Sequence, residues 1–100
     1  MRSGGLSYEV LFCQRGFTPH YAEHVVDPMD ECPKLVMADP HTRRSAIIYN
    51  LSTGRVEWEA KVPGSSVPNP HTARMLLEDV ERFGSAGDIY CCDRDNNIIV

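Results

Sequence analysis

The sequence predicts an all-β fold built from about two copies of a four-stranded antiparallel unit, the second incomplete. Three observations predict it. The chain repeats itself: TPHYAEHVV (18–26) returns as NPHTARMLL (69–77), so that Pro19-His20 matches Pro70-His71 and Ala22 matches Ala73, each 51 residues on. KLVMAD (34–39) returns as DIYCCD (88–93), with Asp39 matching Asp93 after 54 residues, and the loop LEDVERFGSAG can hold the difference. Finally, the segments between turn signals are short and rich in Val, Ile, Tyr or Leu, with Gly, Pro, Asn or Asp between them.

Taken in order, YEVLFCQ (8–14) is strand-like and precedes the first Pro-His segment. The first His-strand, KLVMAD and RSAIIYNL (44–51) follow. YNLSTGRVEW reads as a hairpin with Ser-Thr-Gly at its tip, where Gly54 takes a positive φ at little cost. RVEWEAKV (55–62) alternates Val56, Trp58, Ala60 and Val62 on one face with charges on the other, the period of a half-buried strand. Trp58 is expected to be a core wedge between units. ARMLLEDVERF (73–83) has near-helical spacing of Met75, Leu76, Val80 and Phe83. Its repeat partner YAEHVV is β-branched at its end, so 72–77 is read as a strand with a loop or single turn after it. DIYCCD and NNIIV (96–100) complete the second unit as far as the chain runs.

A period of about 50 residues carrying four strands is that of a β-propeller blade. Closed rings take about four to eight blades, so residues 1–100 are expected to form a partial β-propeller domain. Further blades, from sequence beyond the chain or from self-association, would complete it.

Three stretches resemble known propeller families. NLSTGRVEW resembles the quinoprotein-type blade motif D-x-x-T-G-x-x-x-W: Thr53, Gly54 and Trp58 match, and Asn50 stands where Asp is usual. GDIYCCDRDNNIIV resembles the NHL-type blade, matching at Gly87, Ile89, Tyr90, Asp93, Asn96, Asn97 and Ile99, with Ile98 at the usual Arg position. NPHTARMLL is similar to the His-x-A-R-L-L inner strand of arylsulfotransferase-like propellers. In such blades the first strand lies nearest the axis, and the loop leading into it shares a face with the loop between the second and third strands. The resemblance therefore implies that His20, His71, His41, Asp39, Asp93, Asp95, Arg43, Arg44 and Arg74 gather at one funnel.

Two functional classes follow. One is a binding or assembly module that engages protein or a small ligand at this face, with His41, Asp39, Arg43, Asp93 and Asp95 as the ligand-binding residues. The other is an enzyme of the arylsulfotransferase-like kind. There His71 and His20 would serve as nucleophile or base, since imidazole titrates near neutrality. Arg74 would hold the sulfuryl group, because a guanidinium donates two parallel hydrogen bonds to a tetrahedral anion. The plainer alternative makes the repeated Pro-His a structural turn.

Composition narrows the partners. Formal net charge is −4 and the ten basic residues are scattered, which argues against a nucleic-acid surface. No apolar run approaches the ~20 residues that span a bilayer. MRSGGLSYEVLFC has no apolar signal-peptide core, which favours the cytoplasm, and the four cysteines are expected to be mostly buried thiols. Cys91 and Cys92 should face opposite ways on a strand. Cys13, His20, His24 and Cys32 do not make a zinc site by spacing: on a strand the two histidines lie ~13 Å apart, too far for one ion. DRDNNI lacks the glycine and distant glutamate of a calcium loop. No cofactor or metal is expected.

Overall fold

A computed structural model of the protein describes residues 16–61, 69–93 and 98–99, the last pair as backbone only. The strand expected at 8–14, together with Cys13, Val62 and Asp95, lies outside the described residues.

Among the described residues seven strands form: β1 (Tyr21–Val26), β2 (Pro33–Asp39), β3 (Ser45–Asn50), β4 (Arg55–Ala60), β5 (Pro70–Met75), β6 (Ile89–Asp93) and β7 (Ile98–Ile99). The fold is all-β, with no helix among the described residues. The first sheet is an antiparallel meander, β1-β2-β3-β4, and the second runs β5-β6-β7. β1 to β4 follow one another through short turns, as antiparallel pairing allows, whereas β5 and β6 are joined by the longer segment 76–88. The helical spacing in 73–83 does not produce a helix. β5 ends at Met75, and the chain then folds into a small loop closed by a bridge between Val80 and Gly84.

Alternation along the strands builds two apolar clusters. Val25, Val36, Ala38, Ala46 and Ile48 of the first sheet meet Ala73, Met75 and Cys91 of the second, so the two sheets pack face to face. The odd-numbered residues of β2 and β3 point the other way, where Met37, Ile47 and Tyr49 are buried with Phe17, Leu35, Leu51 and Val56 against them. β3 is buried along its whole length, as expected of an interior strand with apolar groups on both faces.

β4 departs from its sequence pattern. Ile48 pairs with Trp58, but the next residue, Tyr49, pairs with Val56, so a bulge lies at Glu57. A bulge puts two residues opposite one and reverses the alternation beyond it. Val56 therefore joins the Tyr49 cluster, while Trp58 shares the opposite face with Ile48. The expectation that Val56 and Trp58 share a face is overturned by that one residue. Nor is Trp58 a core wedge: it is 41% exposed at the edge of the first sheet.

The turn signals are borne out. Gly54 has φ 71° in the β3–β4 turn and donates its N–H to the Asn50 carbonyl at 2.9 Å. The Asn50 side-chain oxygen accepts the N–H groups of Ser52 and Thr53 at 2.8 and 3.0 Å, the local capping for which Asp and Asn are used in turns.

Candidate functional site

The repeated Pro-His segments converge. His20 stands just before β1 and His71 lies within β5, and their rings stack with centroids 3.8 Å apart and planes tilted by 42°. Three residues farther along each repeat, Arg74 Nη2 donates to Glu23 Oε2 at 3.0 Å, across 51 residues of chain. Equivalent positions of the two repeats thus touch one another. β5 accordingly packs over β1 and β2, where the two sheets meet face to face.

Asp39 ties the first repeat together at this end. One carboxylate oxygen accepts the Thr18 N–H at 2.8 Å, and the other accepts the Thr18 hydroxyl at 2.9 Å and the Thr42 N–H at 2.9 Å, with His41 and Arg43 N–H groups at 3.2 and 3.3 Å. The β2–β3 turn is therefore fastened to the segment leading into β1. Burial alone would raise the Asp39 pKa, but the bonds from Thr18, Thr42 and Arg43 outweigh it and hold the pKa below the ordinary carboxylate value. Asp93 repeats the arrangement: its Oδ1 accepts the N–H of Asn69, the residue before Pro70-His71, at 3.3 Å. These residues are 0% and 1% exposed, and the Asp39 carboxylate locks the turn to the segment before β1.

The other expected residues are placed as follows. His41 is exposed in the β2–β3 turn. Arg43 is half-buried, with its guanidinium 4.4 Å from the centroid of Phe17, Nε donating to the Gly16 carbonyl at 3.1 Å and Nη1 donating to Glu59 at 3.0 Å. Arg44 takes φ 51° just before β3. Arg74 is held by Glu23 beside β1, and Asp95 is outside the described residues. The structure thus brings His20 and His71 together, keeps Arg43 against Phe17 and Glu59, and turns the Arg74 guanidinium to Glu23.

A second charged centre was not among the expected sites. Lys34, at the start of the core-facing run of β2, is fully buried. Its ammonium donates to Asp27 at 2.8 Å, Asp30 at 3.0 Å and Glu57 at 2.8 Å. Desolvation works against its charge, but the bonds to Asp27, Glu57 and Asp30 prevail and raise its pKa above the usual lysine value. The Cys32 N–H and the Lys34 ammonium together lower the Asp30 pKa. The bulge at Glu57 delivers the third carboxylate, which also accepts from the Asn50 amide at 3.0 Å. Asp27, Asp30 and Glu57 are the one set of three potential metal ligands grouped among the described residues, and the ammonium occupies the position that a cation would take. One sequence signal could have found this centre: by alternation, Lys34 shares a strand face with Val36 and Ala38, a charge on the core face.

The cysteines Cys32, Cys91 and Cys92 are free. Cys91 faces the core and its pKa is raised, by burial first and then by the neighbouring Cys92 and Asp93 charges. Cys92 is exposed and Cys32 half-buried, so the expectation of mostly buried thiols holds only for Cys91. No helix is long and apolar enough to cross a membrane among the described residues. Comparison with protein-family models, with curated proteins and with solved structures gives no match.

Proposed function

We propose that the chain is a binding and assembly module of the propeller kind, stacking sheet on sheet and engaging protein or a small ligand at the end where His20, His71, His41 and Arg43 lie. The observation that carries this reading is the meeting of equivalent residues, His20 on His71 and Glu23 on Arg74. Contacts between equivalent positions can be extended by another repeat of the same kind, and repeat arrays gain stability from such neighbour interfaces. The Asp39 and Asp93 locks fit a unit whose recurring residues hold its turns.

The test has two arms. Light scattering on the 100-residue chain is expected to show an oligomer. A stable cooperative monomer would count against assembly. Incubation with p-nitrophenyl sulfate and phenol as acceptor is expected to release no nitrophenol, whereas release that disappears in His71→Ala would replace the binding reading with sulfuryl transfer to the phenol or hydrolysis by water.

A further inference from the structure

Away from the histidines, Trp58, Asp88 and Ile89 border two adjoining hollows of unlike chemistry, of about 390 Å³ and about 330 Å³. The larger is completed by Asp27, Asp30 and Glu57 beside the apolar Met29 and Ile48. With Asp88 it holds four carboxylates, against which stands the single buried ammonium of Lys34. Among the described residues no Lys or Arg lines it. The smaller hollow is aromatic and aliphatic, lined by Leu76, Phe83 and Tyr90. Phe83 meets Tyr90 edge-on, with centroids 5.5 Å apart, yet it remains 56% exposed.

We propose that this double groove docks a segment of a partner protein carrying an arginine next to an apolar residue. Charge complementarity selects the occupant: a surplus of carboxylates beside an indole attracts a cation, and a guanidinium both stacks on aromatic faces and forks onto carboxylates. The same charge repels phosphate and nucleic acid, and it disfavours a second copy of a chain whose net charge is −4. A lone amine would fill one hollow only, whereas an arginine beside an apolar side chain fills both. The inference is independent of the propeller reading, since every residue it uses lies in the groove between β4, the β1–β2 turn and the loop before β6.

Trp58 is the sole tryptophan, so its fluorescence reports the groove directly. The probe is the tetrapeptide amide acetyl-Gly-Arg-Phe-Gly, titrated against the full chain at low salt. A saturable change in emission is expected, and replacing Arg by Glu in the peptide should abolish it. Asp88→Asn removes a charge common to both hollows while keeping an oxygen for the Ser85 N–H, 2.9 Å away; it is expected to weaken binding about fivefold or more, with the β circular-dichroism signal unchanged. Phe83→Ala should weaken the Arg-Phe peptide but not its Arg-Gly counterpart, and it keeps the test available should Asp88→Asn fail to fold. The proposal is overturned if the Glu peptide binds equally, if arginine amide alone binds as tightly as the peptide, or if wild-type emission stays unchanged up to about 10 mM peptide.

Discussion

The two sheets repeat one plan and differ most in how their first two strands are joined. Both fasten the start of the first strand with an aspartate at the end of the second, Asp39 in one and Asp93 in the other. In the first sheet β1 and β2 are joined by the short turn 27–32, closed by backbone bonds between Asp27 and Cys32 and between Glu31 and Asp27. In the second sheet the connection is the longer loop 76–88. Backbone bonds join Leu76 to Asp88 and Gly87, and the Asp79 and Asp88 carboxylates accept the Ala86 and Ser85 N–H groups. The repeat aligns Lys34 with Asp88. One is a buried cation among carboxylates; the other is an exposed carboxylate at the rim of a groove. The lesson is that the aspartate's hold on the segment leading into the first strand is kept in common, while the first connection is free to carry different chemistry. Leu77, Val80 and Phe83, all exposed, lie in the longer of the two.

Removing the buried cation should make the contrast largest. Lys34→Met leaves Asp27, Asp30 and Glu57 facing one another, and stripping one partner from a buried ion cluster costs ~3–5 kcal/mol. A urea melt at pH 7 should show that loss as a lowered midpoint. Asp88→Lys at the equivalent position, which forfeits only the exposed bond to the Ser85 N–H, should cost no more than about 1 kcal/mol. Because the folded Lys34 pKa is raised, its stabilisation is complete below the unfolded value near 10.4 and is lost as pH rises through the folded one. A wild-type alkaline limb identical to that of Lys34→Met would contradict this.

Next come the two aromatic and aliphatic positions of the first sheet. Ile47 has no exposed surface, and Ile47→Ala should cost ~2–5 kcal/mol. Trp58 is half in solvent, so Trp58→Ala should cost only ~1–2 kcal/mol. Thermal melts that reverse this order would put the core on the wrong face of β4.

Asp39→Asn keeps one acceptor oxygen but loses charge-assisted bonds, for ~1–2 kcal/mol at pH 7. The folded pKa is depressed, so this stability is present above the unfolded value near 3.9 and disappears as pH falls through the folded one. Wild type and variant should therefore converge in acid melts once the pH has fallen through the folded value.

The smallest effects concern the connections themselves. Each has a left-handed residue two positions before the next strand, Glu31 at φ 59° and Gly87 at φ 93°. A Cβ on Gly87 would also lie 2.7 Å from Met29 Cγ, the flexible side chain yielding at modest cost. Gly87→Ala should lose ~1–2 kcal/mol and Glu31→Gly should gain up to ~1 kcal/mol, opposite signs measurable in the same denaturant series.

Much of the fold was legible because its signals are local. Ser-Thr-Gly at Gly54 marks a turn capped by the nearby Asn50, and the recurring Pro-His and Asp39/Asp93 positions mark the repeat, although Asp39 and Asp93 bond Thr18 and Asn69, 21 and 24 residues away. The Trp58 face was not legible, since the bulge at Glu57 arises from how β4 meets β3 and leaves no mark in the alternation of β4 alone. The stacking of His20 on His71 could be read as convergence at one end but not as ring contact. Lys34 was missed for a different reason: its three partners come from the β1–β2 turn and from β4, so the cluster exists only once both are folded against β2.

Lys34 also bears on the states the chain must avoid. A strand that slips by one residue exchanges its two faces. In the first sheet that slip would carry Lys34 to the side of Met37, Ile47 and Tyr49, where the described neighbours are apolar, and would set Leu35 before Asp27, Asp30 and Glu57. Aliphatic residues on both faces of β2 and β3 would otherwise tolerate such mispairing with little loss. The single ammonium makes the shifted pairing costly, so it proofreads the alignment of β1 and β2 during folding, and a one-residue insertion in 27–32 should trap the chain as aggregate even though every strand keeps its own sequence.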